Sequence, residues 1–186
     1  MAKSNKSILR IKYQNIRNEI RDKNEKSNLI CEKILNTEIY KKSKVIAVYR
    51  NLPSETDTTL LIEEALKQGK IVALPRVLGE NVIQFYKIQN LENFEISDLG
   101  IEEPPMIDEN FISEDSIDLI IVPAVSFDLE KNRLGFGKGC YDYYLEESNF
   151  YKIGICFDEQ ISDINFNNDR FDIRMDLVIT EKREIK

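Results

Sequence analysis

The chain of 186 residues contains no histidine. That absence excludes a Ser-His-Asp triad, a Cys-His dyad and an HExxH zinc site. Proton transfer must instead use a carboxylate, Lys, Tyr, Cys or the substrate itself. Cysteine is scarce as well. Cys31, Cys140 and Cys156 are odd in number, far apart and without a CxxC pair, which excludes a disulfide framework or zinc knuckle and predicts reduced thiols in a cytoplasmic protein. No run approaches the roughly 20 apolar residues of a membrane span, and residues 1–17 lack an apolar core of signal-peptide length.

With 42% hydrophobic and 32% charged residues, the composition is that of a folded globular domain, and the length suits one domain over residues 1–186. The net charge of −7 hides an asymmetry. Residues 1–50 carry 13 basic and 5 acidic side chains, whereas residues 51–130 carry 4 and 17. A basic arm suits either nucleic acid or a solvated amphipathic helix. The overall pI near 4.9 favours the helix.

Apolar residues at helical spacing (Leu9, Tyr13, Ile16, Ile20, then Leu29, Ile30, Ile34) predict one or two helices over residues 6–35, with a break near 22–26. A further helix is predicted over 57–68, with Thr56 or Asp57 as N-cap and Gly69 just past its end, and another over 139–148. Short β-branched runs predict strands at 44–49, 70–74 (closed by Pro75), 81–88, 118–122, 151–157 and 176–180. This alternation predicts an α/β fold: a three-layer domain with a mainly parallel sheet flanked by helices, plus an N-terminal helical arm. Ligands of such sheets bind beyond the carboxyl ends of the strands, here the loops after Tyr49, Leu74 and Val122.

Three of the seven glycines fall in residues 133–142, RLGFGKGCYD. Alternating glycines permit positive φ and bring backbone N–H groups close to a ligand, and such a turn can cradle an anion. Arg133 and Lys138 flank it with positive charge, and Asp142 could join phosphate oxygens in holding Mg²⁺. The other readings are a flexible strand-to-helix turn and an acid complementing a helix dipole. The segment is neither a Walker A loop nor a GxGxxG fingerprint.

Residues 122–128 (VPAVSFD) followed by RLGFGKGCYDYYL resemble the signature of the 5-formyltetrahydrofolate cyclo-ligase family, approximately vPglaFD…G.RLGxGxGyYDryL. Further matches lie at 6–10 (KSILR), at Tyr49 with Glu55 to Thr58, at 100–104, at Gln160, and at Asp172, Asp176 and 180–181. The resemblance implies ATP- and Mg²⁺-dependent cyclisation of 5-formyltetrahydrofolate to 5,10-methenyltetrahydrofolate on a single α/β domain. It implies small-molecule partners only, with no nucleic acid, no membrane and a monomeric state.

Carried onto this chain, the resemblance assigns Lys6, Arg10 and the loop Arg133, Leu134, Gly135, Phe136, Gly137, Lys138, Gly139, Cys140 and Tyr141 to ATP. Arg133, Lys138 and Tyr141 would be catalytic, and Asp142 and Asp172 would hold the metal. Arg50 and Glu55 take the folate positions, Glu55 facing the N–H donors of the pterin. Phe85 and Ile101 are candidate apolar contacts, with core packing the competing role for each. Many members have Tyr where this chain has Cys140, and His where it has Phe171. Three other readings stay open: an ATP-dependent kinase or ligase for another small molecule, a non-catalytic phosphosugar sensor, and an RNA-binding protein.

Overall fold

A computed structural model describes residues 3–79, 82–97, 100–146, 148–166 and 173–186. Helix α1 (Lys3–Glu19) and helix α2 (Lys23–Asn36) meet at Asp22, whose φ of 55° breaks the helical path. The short α3 (Glu38–Lys42) leads into strand β1 (Val45–Ala47). Helix α4 (Thr59–Lys67) then crosses to β2 (Ile71–Val77), which turns back into β3 (Ile83–Ile88).

After β3 comes a small hairpin, β4 (Glu95–Ile96) with β5 (Glu102–Glu103), and then β6 (Phe111–Ile112). Next come β7 (Leu119–Pro123), β8 (Ser126–Asp128), β9 (Arg133–Leu134) and α5 (Cys140–Leu145). Strands β10 (Tyr151–Ile155), β11 (Ile161–Ser162), β12 (Leu177–Ile179) and β13 (Glu184–Ile185) complete the chain.

The main sheet has the order β13-β12-β10-β7-β1-β2-β3-β6, and its five central strands, β12 to β2, run parallel. The expected mainly parallel sheet is therefore present, with antiparallel strands at its two edges. Side-chain alternation separates two cores. Ile46, Val72, Leu119, Ile121 and Ile153 face α2 and α4, against Ile30, Ile34, Leu61 and Ile62. Ala47, Ala73, Ile120, Val122 and Val178 face the opposite side, with Phe127 and Leu145. Small residues there make room for a large ring, since a Cβ on Gly154 would lie 2.5 Å from Phe127 Cζ. In a third core, α1 packs Leu9 and Tyr13 against Val125, Leu134 and Phe166.

Several predicted boundaries move. Helix α4 starts two residues later than expected, because the Asp57 carboxylate accepts the Thr59 N–H at 2.9 Å from outside the helix. Its end is as predicted: Gly69, at φ 73°, and Lys70 return their N–H groups to Leu66 and Ala65. Pro75 does not close β2. It pairs with Phe85 on β3, beyond the last residue that β1 pairs, so the parallel ladder loses no N–H. Helix α5 ends at Leu145, short of residue 148.

Candidate active site

A cavity of about 420 Å³ opens at the carboxyl ends of β1, β2 and β7, where ligands of parallel sheets bind. Tyr49 and Arg50 follow β1, Pro75 and Val77 come from the end of β2, and Pro123 ends β7. Residues 133–142 form one wall, α1 brings Lys6 and Arg10, and Ile101 and Glu103 come from the β4–β5 hairpin.

The glycine loop has the backbone its sequence demands. Gly137 and Gly139 have φ of 98° and 74°, conformations that an L side chain resists. Gly135 is required for room, because a Cβ there would stand 2.7 Å from Arg133 Nη1. Arg10 Nε donates to the Gly135 carbonyl at 2.8 Å, so α1 grips the loop directly. Arg133 is nearly buried. Its Nη2 donates to Asp142 Oδ1 at 2.6 Å, and its guanidinium lies 5.5 Å from the Tyr141 ring centroid. Lys138 is exposed on the cavity wall and makes no ion pair among the described residues.

Arg133 is positioned from below by a buried carboxylate. Asp128 Oδ1 accepts N–H bonds from Glu130 and Asn132, and Oδ2 accepts from Asn132 Nδ2 and the Phe166 backbone. These four bonds, each 2.8–2.9 Å, fix the turn that delivers β9. Gln160 acts similarly, its Nε2 donating to the Val125 carbonyl at 2.8 Å and its Oε1 accepting from Phe157 N–H. The signature residues Asp128 and Gln160 therefore hold backbone, and neither lines the cavity.

On the other side, Glu55 points into the cavity from the loop after β1, with only 8% of its surface exposed. Its Oε2 accepts the Leu52 N–H at 2.9 Å, and Arg17 Nη1 lies 3.4 Å from Oε1. Burial pushes the Glu55 pKa up, while the Leu52 N–H and the Arg17 charge oppose that rise. Burial, reinforced by the Glu55 charge, holds the phenols of Tyr49 and Tyr141 above their ordinary range, so both stay protonated donors. Arg50 is engaged elsewhere: it pairs with Glu102 at 2.7 Å, donates Nη1 to Thr59 Oγ1 at 3.1 Å and lies over the Phe94 ring.

Lys6, Arg10, Arg50, Glu55, Ile101 and the whole segment from Arg133 to Asp142 line this one cavity. Phe85 does not. It is 1% exposed, packed 5.0 Å from the Tyr144 ring in the core between β3 and α5. Ile83, two residues earlier on the same face, does line the cavity, so Phe85 is shut out by the Tyr144 ring over it and not by its side of the strand. Asp172 and Phe171 lie outside the described residues. Sequence reasoning did not single out Tyr49, Leu52 or Glu103 as cavity residues, nor Arg17, which pairs with Glu55 but does not line the cavity. For Leu52 a signal existed, since it lies in the loop that follows the strand predicted over 44–49, of which Tyr49 is the last residue.

Divalent metal fits this wall through one carboxylate. Mg²⁺ is an ion held by one or two carboxylates with water and phosphate oxygens. Asp142 lines the cavity, and its Oδ2 takes no hydrogen bond among the described residues. No helix among the described residues is long and apolar enough to cross a membrane.

Comparison with known proteins agrees with this geometry. A model of the 5-formyltetrahydrofolate cyclo-ligase family matches residues 2–181. A probable 5-formyltetrahydrofolate cyclo-ligase of Schizosaccharomyces pombe is 33% identical over 172 residues, covering 84% of each chain. The 5-formyltetrahydrofolate cyclo-ligase of Mus musculus is 31% identical over 83% of this chain and 82% of its own. The solution structure of Aquifex aeolicus 5,10-methenyltetrahydrofolate synthetase superposes with a TM-score of 0.84 at 33% identity, covering 97% of this chain and 92% of that one. The chain thus belongs to the 5-formyltetrahydrofolate cyclo-ligase family.

Proposed function

We propose that this protein uses ATP to cyclise 5-formyltetrahydrofolate to 5,10-methenyltetrahydrofolate, releasing ADP and phosphate. The observation that carries this reading is the convergence on one cavity of three cations (Arg10, Arg133, Lys138) with a buried carboxylate, Glu55. The cations face a polyanion, and the carboxylate suits the amino and ring N–H donors of a pterin.

The formyl oxygen is nucleophilic through amide resonance, so the missing histidine is no obstacle. That oxygen attacks the γ-phosphorus, the bond to ADP breaks, and an N5-iminium phosphate forms. N10 then attacks the activated carbon, loses its proton, and phosphate departs with the C–O bond as the ring closes. Arg133, Lys138 and the amides of residues 135–139 neutralise the transferring phosphoryl group. Tyr141, a protonated phenol beside Arg133, lies where formyl group and phosphate meet. Asp142, with Asp172 as the resemblance implies, would hold Mg²⁺, which would supply charge neutralisation on the phosphates.

One chain supplies every group in this reading, consistent with a monomer acting as one domain over residues 1–186. The three cysteines are unpaired, which suits the reducing cytoplasm. The test mixes protein, ATP, Mg²⁺ and 5-formyltetrahydrofolate and follows the near-ultraviolet absorbance of the methenyl product. A rise that depends on ATP supports the function, and no rise under any metal condition refutes it.

A further inference from the structure

Helix α1 carries more than the two ATP-side cations. Lys6, Arg10, Tyr13 and Arg17 recur at four- and three-residue spacing and so share one face. Lys6 and Arg10 reach the nucleotide end of the cavity, and Arg10 grips Gly135. About two turns further on, Arg17 meets Glu55, with both side chains 5–7% exposed. The Arg17 guanidinium also lies 5.2 Å from the ring centroid of Phe136, in the glycine loop. One side chain therefore touches the folate-side acid and the nucleotide loop together.

Its bonding is a poor match for a purely structural role. The Nη1 contact with Glu55 is 3.4 Å, beyond the usual N–H···O range, so it acts through charge. Arg17 Nε is buried with no hydrogen-bond partner among the described residues. Burying an arginine so incompletely satisfied destabilises the fold, and the function of Glu55 supplies a reason to keep it. A carboxylate that must accept N–H bonds from a pterin has to stay ionised in a site that excludes water.

We infer that Arg17 is a positioning residue for folate: it holds Glu55 charged and oriented. This rests on the cyclo-ligase reading above. The charged and titratable groups around Glu55 are Arg17 from α1, Tyr49 after β1 and Tyr141 of α5, with Arg50, Glu103, Arg133, Lys6 and Arg10 on the surrounding cavity wall. Of these, only Arg17 is within ion-pair distance of the Glu55 carboxylate among the described residues.

The experiment compares Arg17→Met and Arg17→Lys with the unaltered enzyme, measuring KM for each substrate and the pH profile of kcat/KM for 5-formyltetrahydrofolate. In Arg17→Met the folate KM rises about tenfold or more, as loss of a charge-assisted contact would give, while the ATP KM stays within about twofold. Losing the cation raises the Glu55 pKa, so the acid limb moves to higher pH by about one unit or more. Arg17→Lys keeps the charge and leaves the limb near its original place. Arg17→Gln carries the same expectations as Arg17→Met should that variant melt below the assay temperature. An unmoved acid limb, or equal rises in both KM values, overturns the inference while the cyclo-ligase reading stands. An unaltered enzyme that does not cyclise the substrate overturns that reading and this inference with it.

Discussion

Arg133 Nη2 lies 2.6 Å from Asp142 Oδ1, so the most firmly held cation of the glycine loop and the cavity's candidate metal ligand form one ion pair. The pairing sets the two side chains, nine residues apart in sequence, against the same part of the cavity wall. Each has a separable duty. Arg133→Ala and Lys138→Ala are expected to lower turnover about 100-fold or more, the scale of losing one group that stabilises developing charge. Lys138→Ala should also leave the melting temperature unchanged, since Lys138 is exposed. Asp142→Asn should raise the Mg²⁺ concentration needed for half-maximal rate. Unaltered ATP kinetics in both cation variants would remove the phosphate-site assignment.

The glycines of the loop are needed for different reasons, and substitution separates them. At Gly135 an added methyl meets the Arg133 guanidinium at 2.7 Å. Gly135→Ala should therefore reduce kcat/KM for ATP by displacing Arg133, with little change in stability. At Gly139 nothing lies within 4 Å, but φ is 74°. Gly139→Ala should cost about 1–2 kcal/mol from left-handed backbone strain, read as a lower urea midpoint, and Gly139→Asn should cost less.

Phe127 fills the space that Gly154 leaves open on β10, and both belong to the layer beneath the loop that carries Arg133. Gly154→Ala forces a methyl to within 2.5 Å of the ring, and overpacking of this kind destabilises by about 1–3 kcal/mol. Adding Phe127→Leu to the same chain should recover part of that loss. A double variant no more stable than Gly154→Ala alone would show that Met175, whose Cγ would lie 2.9 Å from the added methyl, and not the ring, resists the change.

What could be read from the residues alone was mostly local. The glycine loop was legible because positive φ at Gly137 and Gly139, and the charges beside them, are properties of one short segment. The five parallel strands were legible because buried strands read as continuous β-branched runs. Two-residue strands such as β6, β9 and β11 are too short to show a period. Arg17 was missed for a different reason: its partner lies 38 residues away, and only the docking of α1 brings them together. Phe85 failed because it shares a strand face with the cavity residue Ile83 but lies under the Tyr144 ring, a covering that comes from α5 and is not written in β3. Pro75 was read as a strand end because a missing N–H usually breaks a ladder, and here β1 has already turned away.

The Arg17–Glu55 pair also makes an asymmetric prediction about stability, because only one member can shed its charge. Arg17→Met leaves Glu55 buried and without its cation, which raises further a carboxyl pKa that burial already holds above the ordinary value. The folded state then binds a proton more tightly than the unfolded chain does. Stability is therefore retained below the ordinary glutamate pKa and falls as pH rises through the raised one. The loss relative to the unaltered protein should be small near pH 5 and larger at pH 8, approaching about 3–5 kcal/mol at most. Glu55→Gln keeps an acceptor for the Leu52 N–H but strands Arg17, which cannot deprotonate, so the variant's own stability no longer changes with pH through position 55. The double variant Arg17→Met with Glu55→Gln buries no charge and should approach the stability of the unaltered protein at either pH while binding 5-formyltetrahydrofolate poorly. Urea unfolding of the three variants at pH 5 and pH 8 reads all of these outcomes, and a pH-independent loss in Arg17→Met would show that Glu55 does not titrate in the folded chain.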